Sequence, residues 1–230
     1  MTYRTERIQG PILYQTSDDD VYKFSSTEKN FLTRQVALRP DTDLEVQSRV
    51  YDSILDTPGM EKLHEYVSTH INNYAHEVMQ VTDDITFYIT QSWVTVSQTG
   101  VGQQMNMHLN NILTGMMFIS PEEGGESIYF ADGRNEVFPG IDFPYKQIPY
   151  SAVQYTPGRL AIWPSKVPYS VPPNKCQEDR VSLSFNVHFH GDLGRGGINA
   201  IFNTLSRSRV GNPNDLSCLN NYPSTSNDAI

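Results

Sequence analysis

Between residues 58 and 79 apolar side chains recur at spacings of three and four: Met60, Leu63, Val67, Ile71, Tyr74 and Val78. That is the stripe of an amphipathic helix. Thr57 suits an N-cap and Pro58 the first helical position, so the helix is predicted to start there. A shorter helix is predicted through Val46, Val50 and Ile54. Beyond it the period falls to two. Ile85, Phe87 and Ile89 alternate with Thr86, Tyr88 and Thr90, and Trp93 to Val96 continues in the same style. Further strand-like runs occupy 112–119, 127–130, 151–155, 159–163 and 180–189. Turn signals separate them at Gly100 and Gly102, Pro121 to Gly125, Pro157-Gly158 and Pro172-Pro173-Asn174. Seven or eight short strands after a helical segment predict a mainly β fold with flanking helices, a sandwich or jelly roll. Residues 1–40 read as irregular with one or two strands. From about Ser206 the chain is rich in Ser, Asn and Pro and reads as a tail without a core of its own.

Composition narrows the class. The 230 residues are 38% hydrophobic, 11% aromatic and 19% charged, which is globular and enough for one domain with arms. The net charge of −9 opposes sequence-independent binding to phosphate backbones, so no nucleic-acid partner is expected. Arg195, Arg207 and Arg209 lie close together but read as a solvated segment. Cys176 and Cys218 form no Cys-x-x-Cys pair, which argues against a disulfide framework or structural zinc. No apolar run follows the charges at the start of the chain, and none approaches the ~20 residues of a membrane helix. Neither a signal peptide nor a membrane partner is expected, and synthesis in a cytoplasm is.

Two segments carry more information. One is Gln103 to Ile119, QQMNMHLNNILTGMMFI; the other is Pro157 to Val187, with Trp163-Pro164-Ser165, Val171, Pro172-Pro173-Asn174, Arg180, Ser182, Ser184 and Phe185-Asn186. Over residues 88–188 they resemble a bacterial and phage subfamily of the 2-oxoglutarate/Fe(II) oxygenases. Its members read His-x-His-Pro-Asn-Ser-x-x-Ser-Gly in the first segment. In the second they read Phe-Pro-Ser-x-x-x-His-x-Val-x-Pro-Asn, then Arg-x-Ser-x-Ser-Phe-Asn. The resemblance implies a double-stranded β-helix, the jelly-roll barrel, over residues 84–192. Residues 1–83 would then be an N-terminal support segment and 193–230 a C-terminal extension or arm.

A non-haem iron oxygenase holds ferrous iron with a facial triad, two His and one carboxylate, leaving positions for cosubstrate and oxygen. Aligning Thr114-Gly115 with the family's Ser-Gly puts His108 at the second ligand position and Asn106 at the first. The third falls on Tyr169. The family's 2-oxoglutarate-binding Arg-x-Ser falls on Arg180 and Ser182, where a guanidinium fork can pair with a carboxylate. One ligand of three is thus kept, and the resemblance implies a remnant metal site at His108. Met105, Met107, Met116 and Met117 are expected to fill the pocket mouth with apolar side chains. Arg180 and Tyr169 are expected on adjacent or near-adjacent strands.

Other polar clusters read as structure. His188 and His190 share one strand face but make no site alone. His64, His70 and His76 share no helix face. Glu122, Glu123 and Glu126 form an exposed acidic loop. The expected function is a non-catalytic, oxygenase-like barrel that binds other protein subunits of an assembly, a phage virion, with no cofactor. The alternative is an active dioxygenase that uses Fe(II) and 2-oxoglutarate.

Overall fold

The computed structural model describes residues 3–7, 12–34, 45–47, 53–131, 151–193 and 202–203. The strands are β1 (Tyr3–Arg7), β2 (Ile12–Thr16), β3 (Glu45–Gln47), β4 (Thr86–Ser97), β5 (Gln103–Asn106), β6 (Leu113–Ser120), β7 (Ile128–Phe130), β8 (Ser151–Val153), β9 (Leu160–Pro164), β10 (Tyr169–Val171), β11 (Arg180–His190), β12 (Asp192–Leu193) and β13 (Phe202–Asn203). A seven-stranded sheet runs β1-β2-β9-β6-β11-β4-β3, with β1–β2, β2–β9, β9–β6, β6–β11 and β4–β3 antiparallel, and a four-stranded antiparallel sheet runs β5-β10-β7-β8. One buried cluster joins them: Leu13, Met116, Phe118, Ala161 and Trp163 from the large sheet meet Ile128, Phe130, Val153, Tyr169 and Val171 from the small one. Two antiparallel sheets facing across one core form the predicted jelly roll.

The outer face of the large sheet carries the helix. Helix α2 (Glu61–Asn73) buries Leu63, Val67, His70 and Ile71. The Tyr74 hydroxyl donates to the Ile12 carbonyl at 2.6 Å, and the Tyr14 hydroxyl meets His70 Nδ1 at 2.6 Å, tying the helix to β2. The helix starts at Glu61, later than Pro58. Gly59 takes φ +95°, and Met60 N–H closes a turn on the Thr57 carbonyl at 3.1 Å, so Thr57-Pro58-Gly59 is spent on a turn. The helix predicted through Val46 is a correction. Glu45–Gln47 is strand β3, its Val46 paired with Val96 on the edge of β4, and Ile54–Asp56 is a 3-10 turn. Edge pairing overrides a weak helical spacing there.

Helix α1 (Ser26–Arg34) is an addition to the sequence reading. Its start is a capping box: Glu28 N–H donates to Ser25 Oγ at 3.2 Å, and Ser25 N–H to the Glu28 carboxylate at 2.7 Å.

The chain divides into two compact units. The larger is residues 1–82 with 87–188, and holds the sheets and helices just described. The smaller is residues 83–86 with 189–230. Within it β12 pairs with β13, and Gly191, at φ +139°, lies where an added Cβ would meet the Asp84 carbonyl. The proposed tail from Ser206 and the arginines 195, 207 and 209 lie outside the described residues, as does most of the 193–230 arm.

Candidate functional site

Strand β11 positions the polar side of the barrel interior. Its Val181, Leu183, Phe185 and Val187 are buried on one face. Ser182, Ser184 and Asn186 pair with Phe118, Met116 and Thr114 of β6, the face that looks into the core. Gly115 lets β6 and β11 do this: an added Cβ would sit 2.1 Å from the Phe185 ring. The Thr-Gly of the first segment and the Phe-Asn of the second are therefore one packed pair of positions.

The three aligned ligand positions come together. Asn106 and Tyr169 are partners across the β5–β10 ladder. Tyr169, buried at 1% exposure, places its hydroxyl 3.1 Å from His108 Nε2. Gln103 Nε2 donates to the same hydroxyl at 3.3 Å. On the other side of the ring, His108 Nδ1 lies 2.7 Å from Asn186 Oδ1. Thr114 Oγ1 also donates to that oxygen at 3.2 Å, while Asn186 Nδ2 donates to Gln91 Oε1 at 3.2 Å.

These contacts fix the proton order. Asn186 Oδ1 accepts only, so His108 carries its proton on Nδ1. Neutral imidazole then accepts at Nε2, and Tyr169 O–H is the donor to it. Ser165 Oγ, 2.8 Å from Thr114 Oγ1, completes the chain, and the Ser165 carbonyl accepts His108 N–H at 3.1 Å. Burial holds the His108 imidazole below its ordinary pKa, against a smaller opposing push from Asn186. Trp93 and Tyr169 flank the ring at 5.3 and 5.6 Å between centroids.

This donor set does not fit ferrous iron. The Nε2 that a metal would take accepts from a phenol. The Asn106 amide oxygen accepts Met107 N–H at 2.8 Å, and its residue is exposed. A phenol with an ordinary pKa of about 10 binds iron well only after losing its proton, and tyrosinate favours the ferric state. Among the described residues, no three His, Cys, Asp or Glu side chains converge.

Arg180 and Ser182 are both buried, at 3% and 6% exposure. Arg180 Nη1 donates to the Pro172 carbonyl at 2.8 Å, next to the end of β10. Arg180 and Tyr169 belong to β11 and β10, strands of opposite sheets. That corrects the expectation of neighbouring strands: the segment 172–179 carries the chain across the barrel instead of along one sheet.

The methionine expectation divides. Met116 and Met117 are buried, but Met105 and Met107 are exposed at 51% and 43% and fill no pocket. Met105 lies on β5 and Met107 just past its end, beside Asn106, which is exposed too. His70, assigned no role, is fully buried against Tyr14 and Tyr66. Glu122 pairs with Lys29, and Glu126 with Lys175 at 2.8 Å, so the acidic loop is tied down by lysines. Sequence reasoning did not assign Gln91, Gln103, Thr114, Ser165 and Asn186 to the site. Four lie within or beside the two motif segments, but only the fold shows that their polar atoms meet.

Residues 91–186 match a family model, 2OG-FeII_Oxy_5, described as "Putative 2OG-Fe(II) oxygenase". Over that segment the chain is 2OG-Fe(II) oxygenase-like. The match begins at Gln91 and ends at Asn186, two residues that hydrogen-bond to each other. No curated protein matches. Among solved structures, an oxidoreductase of the 2OG-Fe(II) oxygenase family from Burkholderia pseudomallei is 10% identical, covering 76% of this chain and 83% of its own, with a TM-score of 0.49. A prolyl-4-hydroxylase from Pseudomonas putida is 10% identical over 70% of this chain and 82% of its own, at 0.47. The non-heme alpha ketoglutarate dependent epimerase SnoN from nogalamycin biosynthesis is 15% identical over 69% and 68%, at 0.49.

Proposed function

We propose that this chain is a non-catalytic, oxygenase-like jelly roll that serves as a structural subunit and binds other proteins of an assembly. The observation that carries the reading is the Tyr169 hydroxyl on His108 Nε2. Tyr169, which aligns with the family's third ligand, caps the Nε2 of His108, which aligns with the second. The virion of a phage is the proposed assembly, since the resembled subfamily occurs in phage genomes. The net charge of −9 favours protein neighbours over packaged DNA.

The test is direct. Purified protein incubated anaerobically with Fe(II) is expected to retain no stoichiometric iron, and with 2-oxoglutarate and oxygen to form no succinate above background. Stoichiometric ferrous iron or turnover in the unmodified chain would sink the proposal. The double change Asn106→His with Tyr169→His rebuilds two ligand positions and uncaps Nε2. It is expected to bind Fe(II) where the parent does not. Mass spectrometry of purified particles tests the assembly: the chain is expected as a stoichiometric component.

A second reading, the Fe(II)/2-oxoglutarate dioxygenase, rests on Arg180 and Ser182. Both are buried on β11 and align in sequence with the family's cosubstrate-binding pair. It requires a metal-ligand set that this site does not supply.

A further inference from the structure

The inner face of β4 opens to solvent at one end. Ser92 Oγ accepts Leu55 N–H at 2.9 Å from the 3-10 turn before α2, so Ser92 faces the helix side of the sheet. Alternation then turns Gln91, Trp93, Thr95 and Ser97 towards the barrel interior, where Gln91 meets Asn186. Thr95 and Ser97 are buried, at 4% and 3% exposure. Trp93 is half-buried, and Gln91 is exposed. An inward face that passes from buried to exposed along one strand marks the mouth of a barrel, a common place for small ligands.

The closed network beneath this mouth fixes which polar atoms the mouth presents. Gln91 Oε1 accepts Asn186 Nδ2 at 3.2 Å, which leaves the Gln91 NH2 free to donate. Asn106, paired with Tyr169 across the β5–β10 ladder, spends its Oδ1 on Met107 N–H at 2.8 Å and keeps its NH2. Gln103 gives Nε2 to the Tyr169 hydroxyl at 3.3 Å and keeps Oε1 as an acceptor. The Trp93 ring lies 5.3 Å from His108 between centroids, and its indole N–H bonds to none of the described residues. The mouth therefore offers an aromatic plate, three donors and one acceptor. The amides cannot turn over without breaking the bonds behind them, so these donors and this acceptor are set before any ligand arrives.

That chemistry selects a ligand. Gln91, Trp93, Gln103 and Asn106 are all neutral, so a carboxylate or phosphate would lose its hydration here without meeting a cation from them. The group that fits must be uncharged, must both accept and donate hydrogen bonds, and must have an apolar side for the indole. Sugar hydroxyls accept and donate at one oxygen, and the C–H face of a pyranose ring lies flat on an aromatic ring. We propose that the barrel mouth around Trp93 binds a neutral carbohydrate, with Gln91, Gln103 and Asn106 as its hydrogen-bond partners. Glycan binding in a metal chelator and iron binding are separate measurements, so either can fail alone.

The labelled full chain, applied in chelator to an array of neutral oligosaccharides and their sialylated and sulfated counterparts, is expected to bind a subset of the neutral ones and none of the charged ones. Titration with a neutral oligosaccharide that binds on the array should change tryptophan emission. Of the two tryptophans, Trp163 is 0% exposed, so the change should disappear in Trp93→Phe. Trp93→Ala removes the plate and is expected to weaken binding by roughly 10-fold. Gln91→Glu keeps an acceptor for Asn186 but replaces the free NH2 with a carboxylate, and is expected to weaken binding as well. Gln91 is exposed, so the circular dichroism of that variant should match the parent. Binding to no neutral glycan, a preference for the charged glycans, or an affinity unchanged by either Trp93→Ala or Gln91→Glu would each overturn the proposal.

Discussion

Two stretches of the inner face of β11 handle buried polarity differently. Around Asn186 the polar groups close on one another: Ser165, Thr114, Asn186, His108, Tyr169 and Gln103 form a chain of neutral donors and acceptors. Around Arg180 a buried, permanently charged guanidinium donates to a backbone carbonyl at the end of β10. Neutral partners let an interior site satisfy itself without a bound group. A guanidinium keeps its charge whatever its neighbours, so this end differs in kind from the neutral one.

The largest expected effect breaks the closed end at its hub. Asn186→Leu removes the acceptor of both His108 Nδ1–H and Thr114 O–H and the donor to Gln91. Stranding buried donors costs about 1–3 kcal/mol each, and the Thr114 hydroxyl can turn to Ser165, so a loss of about 3 kcal/mol is expected in urea denaturation. A loss below about 1 kcal/mol would mean that the chain is not cooperative.

Acid should loosen the same end. Burial is the first cause that lowers the pKa of both His108 and His70; Asn186 pushes back at His108, and the Asp20 carboxylate at His70. In each case the unfolded chain binds the proton more readily than the folded one. Stability is therefore full above the unfolded value of about 6.5 and falls as pH drops through the window between the unfolded and folded values. Denaturation midpoints measured from pH 8 down to 5 should decline below about 6.5. In NMR titrations both rings should protonate below that value, and a His108 that protonates above it would contradict the proton order drawn from the network.

How much of this was legible beforehand depends on the length of the signal. Strands β6, β9 and β11 are long enough to show a run, and Asn106, His108 and Tyr169, which the motif alignment singled out, neighbour one another in the structure. Strand β10 is only Tyr169 to Val171, between Pro168 and Pro172, too short for any periodicity. Helix α1 buries only Glu28 and Leu32, so it lacks an apolar stripe, although Ser25-x-x-Glu28 was a readable cap. The closed network could not be read because its members lie on β4, β5, β6, β10 and β11 and in the turns beside them. Polar atoms from so many elements meet only after the sheets face each other, and proton direction is set by the whole chain of partners.

A smaller change sharpens the comparison at Tyr169. Tyr169→Phe keeps the ring against Trp163 (4.9 Å between centroids) and removes only the O–H between His108 and Gln103. The expected loss is about 1 kcal/mol, that of one buried hydrogen bond. Because that bond favours neutral imidazole, its removal should also raise the His108 pKa in an NMR titration. An unchanged His108 titration would show that the phenol does not cap Nε2.

The smallest expected effect lies at the Arg180 end. Arg180 already gives Nη1 to the Pro172 carbonyl, and Ser182 offers a single hydroxyl beside it on the same face. In the family the metal supplies the other anchor for 2-oxoglutarate, and the His108 end does not fit that metal. An acid held by one end alone should bind weakly. Ligand present at its dissociation constant adds RT ln 2, about 0.4 kcal/mol, to stability. For a chain of this length that is a shift of roughly 1 °C in melting midpoint. With about 1 mM 2-oxoglutarate and a chelator to remove metal, the expected shift is smaller than that, since the dissociation constant should exceed about 1 mM. A shift of several degrees, abolished by Arg180→Gln, would overturn this expectation. It would make the Arg180 end a working acid site that outlasted the metal, and the two ends of β11 would then differ in function as well as in chemistry.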